Sequence, residues 1–120
     1  MLTIKGVQYR GESERERLVL EAVEDDNVGR YAVFAAASGE GGGLTNRVKL
    51  VYWFPDKEVS LGDTIVLYTK RGTPKEKRNE DGSMSHFFYW DRTEPAWDEP
   101  GLYAVVFESE DWFARMAESI

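Results

Sequence analysis

The stretch Trp53-Phe54-Pro55-Asp56-Lys57-Glu58-Val59-Ser60-Leu61-Gly62-Asp63-Thr64-Ile65-Val66-Leu67-Tyr68 reads as an apolar strand, a corner at a proline, and a second strand launched from Gly-Asp. Pro55 has a locked φ and no backbone donor, so it belongs at the end of a strand and not in its middle. Gly62-Asp63 supplies the turn before the apolar run resumes. The rest of the chain reads as strands packed around this corner, which makes an all-β domain.

Working outward, seven strands are predicted, each bounded by turn residues: Leu2–Tyr9, Arg17–Val23, Tyr31–Ala37, Arg47–Phe54, Thr64–Lys70, Ser85–Trp90 and Leu102–Glu108. Arg17–Val23 carries Leu18, Leu20 and Ala22 on one alternating face. Ser38 to Gly43 is a glycine-rich loop, and Arg71–Met84, with Gly72, Pro74, Asn79 and Asp81-Gly82, is a long linker. In Glu110–Ile120, Trp112, Phe113 and Met116 suit one helical face, but a turn at Ser109-Glu110-Asp111 followed by an edge strand fits as well and is the reading preferred. Short strands without a helical period between them predict an antiparallel sandwich of about seven to eight strands and not βαβ units.

The 120 residues suit a single domain, long enough to bury roughly two thirds of the unfolded chain's surface without metals or crosslinks. A composition of 42% hydrophobic, 31% charged and 13% aromatic residues is that of a folded domain rich in sheet formers. There is no cysteine, which removes disulfides, thiolate catalysis and thiolate metal ligation and suits a reducing compartment. The opening Met1-Leu2-Thr3-Ile4-Lys5-Gly6 lacks a basic region followed by an apolar run, and no apolar stretch approaches about 18 residues. A cytoplasmic location without a membrane span is expected.

Net charge is −7, which repels phosphate backbones and disfavours nucleic acid as a partner. The charge is uneven. Lys70, Arg71, Lys75, Lys77 and Arg78 fall within nine positions, whereas Glu24-Asp25-Asp26 and the region from Asp91 to Glu99 are acidic. Such patches can steer a partner or align two copies, although a solvated polar loop is the reading preferred.

Tyr52-Trp53-Phe54-Pro55, then Val59-Ser60-Leu61-Gly62-Asp63-Thr64-Ile65-Val66-Leu67-Tyr68, then an aromatic strand and a Trp97 loop leading to Ala104-Val105-Val106, resemble the lamin-tail domain, an immunoglobulin-like β-sandwich. The resemblance runs from about Arg17 onward. It implies a non-enzymatic module that binds other proteins and, in some members, nucleic acid or membrane-associated partners. Lamin tails follow a coiled-coil rod, and this chain has no heptads, so filament assembly is not implied. The matching positions are core and turn residues, and no functional residue is carried over.

Candidate chemistry is sparse. His86 is the only histidine, and Ser85, its neighbour in a strand, points to the opposite face, so a nucleophilic pair is not expected and a packed or interfacial histidine is. Glu24, Asp25, Asp26 and Asn27 offer oxygen ligands, but at no calcium-loop spacing. Gly39 to Gly43 lacks the lysine and hydroxyl residue of a phosphate loop. Asp91, Glu94, Asp98 and Glu99 beside Trp90 and Trp97 suggest an alternative, a small carbohydrate-binding or carbohydrate-cleaving domain, although chance pairs abound among 22 acidic residues.

The strongest signal is two-sided apolarity. Leu50-Val51-Tyr52-Trp53-Phe54 and Phe87-Phe88-Tyr89-Trp90 are apolar on both alternating faces, whereas a sandwich strand normally shows one face to water. Cover is expected from the tail with Trp112 and Phe113, from the Trp97 loop, or from a second molecule. The predicted contact surface is Tyr52, Trp53, His86, Phe88, Trp90 and Trp97, with Lys75, Lys77 and Arg78 orienting a protein partner or a second copy. No catalytic residue, metal or cofactor is expected.

Overall fold

The computed structural model describes residues 1–119. The chain is nearly all β, with 47% of residues in strands and, among the described residues, no helix of seven or more. The strands are β1 (Leu2–Gln8), β2 (Arg17–Ala22), β3 (Asp26–Asn27), β4 (Tyr31–Ser38), β5 (Leu44–Trp53), β6 (Glu58–Val59), β7 (Thr64–Tyr68), β8 (Lys75–Arg78), β9 (Met84–Tyr89) and β10 (Tyr103–Glu108). They form a five-stranded sheet in the order β1-β2-β7-β9-β8, a three-stranded sheet in the order β10-β4-β5, and a two-stranded ribbon of β3 and β6.

The corner changes sheets. β5 ends at Trp53 in the three-stranded sheet, Phe54 still donates its N–H to Tyr31 O, and Pro55 then stops the ladder. β6 pairs with β3 on the way across. Gly62, at φ 91°, makes the turn that a side chain would strain, and its N–H donates to Ala22 O. Ala22 N–H in turn donates to Asp63 O, so β7 starts in register beside β2.

Alternation places Leu18 and Leu20 of β2, Ile65 and Leu67 of β7 and Phe88 of β9 in one core with Tyr31, Val33 and Ala35 of β4 from the other sheet. An aromatic chain runs from that core to the loop before β10. Phe88 meets Phe54, Phe54 meets Tyr52, Tyr52 meets Trp90 and Trp90 meets Trp97, all edge to face, with ring centroids 5.1–6.0 Å apart.

Three expectations are corrected. The sheets are not all antiparallel, because β7 and β9 run parallel, with Ile65 opposite His86 and Leu67 opposite Phe88. The predicted linker Arg71–Met84 contains β8, which turns back through Asn79–Gly82 and pairs antiparallel with β9. The chain leaves a strand-wide gap between β7 and β8, and β9 fills it. The tail from Glu110 forms no strand in its described part; it is irregular up to a short 3-10 turn at Ala117–Ser119, and Ile120 lies outside the described residues. None of the described helices is long and apolar enough to cross a membrane.

Candidate interaction face

β4 is the central strand of the three-stranded sheet, and alternation sends Ala32, Phe34 and Ala36 away from the core. Their register partners form three cross-strand rows: Ala32 with Trp53 and Phe107, Phe34 with Val51 and Val105, and Ala36 with Val48 and Tyr103. All nine side chains are apolar or aromatic. Trp53 is 56% exposed, Phe107 55% and Val51 53%, so this outer face is open where a sandwich sheet is usually polar.

Two shallow depressions lie on the face. One, of about 350 Å³, is lined by Phe34, Ala36, Leu44, Val48, Val105 and Phe107. The other, of about 250 Å³, lies among Ala32, Val51, Trp53, Phe107 and Trp112. The Trp53 indole is held by its Nε1–H, which donates to Gly29 O at 2.8 Å, and Phe34 stacks on Phe107 at 5.3 Å. Trp112 sits edge-on against Trp53 at 5.3 Å. The tail therefore covers one corner of the face, while Phe113 beside it is 96% exposed.

The predicted contact residues scatter. Trp53 is the one of them on this face. Tyr52 is half-buried on the core side of β5, and Trp90 is half-buried, with its Nε1–H donating to Val51 O at 3.2 Å. Phe88, Trp97 and His86 are buried, so as placed they are packing residues and offer no surface to a partner. Lys75, Lys77 and Arg78 are exposed on β8, at the edge of the other sheet. There Lys75 and Lys77 border a depression with Tyr68, Phe87 and Tyr89, where Tyr68 and Tyr89 stack at 5.5 Å and 8°. Val48, Val51, Phe34, Phe107 and Val105 were not among the predicted contact residues. Their signal is the same two-sided apolarity, present also in Tyr31-Ala32-Val33-Phe34-Ala35-Ala36 and Tyr103-Ala104-Val105-Val106-Phe107.

The Trp97 loop is a cover, pinned by Glu16. This fully buried carboxylate accepts from Thr69 Oγ1, Ala96 N, Trp97 N and Gly11 N at 2.5–3.3 Å. It turns the loop inward, where Trp97 packs against Trp90.

His86 Nε2 lies 2.8 Å from Asp63 Oδ2, and both side chains are buried. Burial by itself raises the Asp63 carboxyl, but hydrogen bonds from Ser60 N–H, His86 and Met84 N–H hold it below the usual carboxylate value. Glu76 Oε2 stands 3.5 Å from His86 Nδ1 and pairs with Lys57 at 2.8 Å. Ser85 Oγ is bonded to Asn79, away from the imidazole. The arrangement ties the start of β7 to β9 and β8, and it brings no hydroxyl nucleophile to His86.

Among the described residues, no three His, Asp or Glu side chains are placed to hold a metal ion. Comparison of the chain with protein-family models, with curated proteins and with solved structures found no match.

Proposed function

We propose that this chain is a non-catalytic interaction module, an immunoglobulin-like sandwich of lamin-tail type, that binds a protein through the outer face of the β10-β4-β5 sheet. The observation that carries the reading is the three-by-three array of apolar side chains centred on Phe34 and Val51, with Trp53, Val51 and Phe107 each more than half exposed. A large apolar surface of this kind costs solubility unless something covers it, and the described tail covers only the Trp53 corner. The fold-level part of the proposal is supported by two sheets sharing one core and by the sheet-changing corner at Pro55.

The carbohydrate reading has less support. Trp97 is buried and Trp90 packs edge to face against it, so the loop presents no pair of open indole faces on which a sugar ring stacks.

A photo-cross-linking amino acid placed at Phe107 tests the reading in expressing cells, with the same group at Thr3 on the other sheet as control. A discrete adduct at Phe107, absent at Thr3, is the expected result. No adduct, or the same smear at both positions, rejects the face as a docking surface.

A further inference from the structure

Resting on that reading, the geometry points to a partner class: we propose that the free edge of β5 accepts an extended, acidic peptide segment as a fourth strand of the β10-β4-β5 sheet. β5 is the longest strand described, Leu44–Trp53, and among the described residues no strand lies on its outer side. From Leu50 to Trp53 its register with β4 is continuous, and the chain just beyond it continues the pattern, with Phe54 N–H donating to Tyr31 O, while irregularities lie between Leu50 and Val48 and between Val48 and Leu44. Val51 has the opposite phase. Its carbonyl meets the Trp90 indole and not β4, so its backbone faces the open edge. Trp90 thereby closes one end of that edge. The run from Leu44 to Leu50 is left with backbone donors and acceptors that an added strand can pair.

Charge selects the occupant. Arg47 and Lys49 are exposed on this run, β5 contains no carboxylate, and among the described residues neither cation has an ion-pair partner. A second copy is a poor occupant. Two β5 strands paired antiparallel about Val48 set Arg47 opposite the copy's Lys49 on either side of the centre, and like charges directly opposite destabilise a ladder. A segment with carboxylates opposite these two positions gains at both. Its apolar residue opposite Val48 then extends the row that begins there, bordering the 350 Å³ depression.

The test uses the full chain and two dye-labelled probe peptides, one of alternating valine and glutamate and one of alternating valine and lysine, read by fluorescence anisotropy. Amide hydrogen exchange follows β5. The glutamate peptide is expected to bind about tenfold more tightly than the lysine peptide and to slow exchange in the Leu44–Leu50 run. The preference is expected to reverse in the Arg47→Glu, Lys49→Glu double variant, whose folding is checked by circular dichroism. Methylating the alternate amide nitrogens of the glutamate peptide is expected to abolish binding to the unaltered chain, which keeps the test valid if the double variant misfolds. Equal binding of the two peptides, binding without slowed exchange in β5, or an unaltered chain already dimeric through β5 overturns the assignment. A Phe107 cross-link found alongside peptide failure rejects the edge alone and leaves the face reading standing; failure of both rejects both.

Discussion

Glu16 is the residue on which the covering loop depends, since its two carboxylate oxygens serve three backbone N–H groups and the Thr69 hydroxyl in a site without solvent. Glu16→Ala strands those donors and is expected to cost about 4 kcal/mol, read as a fall in the urea midpoint, with Glu16→Gln costing about half as much because its amide oxygen still accepts. Asp63 and Asp26 set the acid limit. Burial raises both carboxyls, but hydrogen bonds outweigh it, from Ser60 N–H, His86 and Met84 N–H at Asp63 and from the Tyr31 hydroxyl and Asn27 N–H at Asp26. A carboxyl with a lowered folded value contributes stability that is complete above its ordinary value of 3.8 and is lost as pH falls through the folded one. The thermal midpoint is therefore expected to fall steeply only below about pH 4. Asp63→Asn is expected to lower the midpoint at neutral pH by weakening the hold on His86, and to flatten the acid-side fall.

β8 shows why an element escapes sequence reading. Lys75-Glu76-Lys77-Arg78 has no apolar alternation, because an edge strand paired on one side and charged throughout avoids adding a further partner. Its approach is set by Gly72, where a Cβ would run into the Tyr89 ring. Gly72→Ala is expected to displace the start of the β8 connection, seen as faster amide exchange in β8 while the Leu18–Leu67 core stays protected. The tail is the opposite case. Its apolar residues suggest an element, yet the described part holds Trp112 against Trp53 with an irregular backbone. Trp112→Ala is expected to cost less than about 1 kcal/mol and to shift the remaining tryptophan emission to the red as Trp53 becomes wetter.

At the scale of the whole molecule, the three-stranded sheet has a bare face and one charged edge, and the five-stranded sheet carries a separate basic edge at β8. Because Arg47 and Lys49 oppose homotypic pairing, the unaltered chain is expected to stay monomeric through β5 in light scattering at low and moderate salt. Arg47→Glu alone makes the strand self-complementary, with the introduced carboxylate opposite the copy's Lys49. It is expected to produce a dimer that added salt weakens. A variant that stays monomeric at every concentration counts against β5 as an accessible edge.

The all-β character, the corner at Pro55 and Gly62-Asp63, the strands around it and the surplus of apolar faces were determined by the sequence alone, because period-two alternation and the backbone limits of proline and glycine act locally. So was the separation of Ser85 from His86, which follows from the pleat. Only the tertiary structure decided that β9 runs parallel to β7 inside the gap left by β8, since strand neighbours depend on contacts far apart in sequence. It alone decided which apolar face meets water. Tyr52 and Trp53 are adjacent and equally aromatic, but the pleat turns Tyr52 toward Phe54 and Trp90 and leaves Trp53 outside, and the phase of that alternation is set by the opposing sheet and not by either residue.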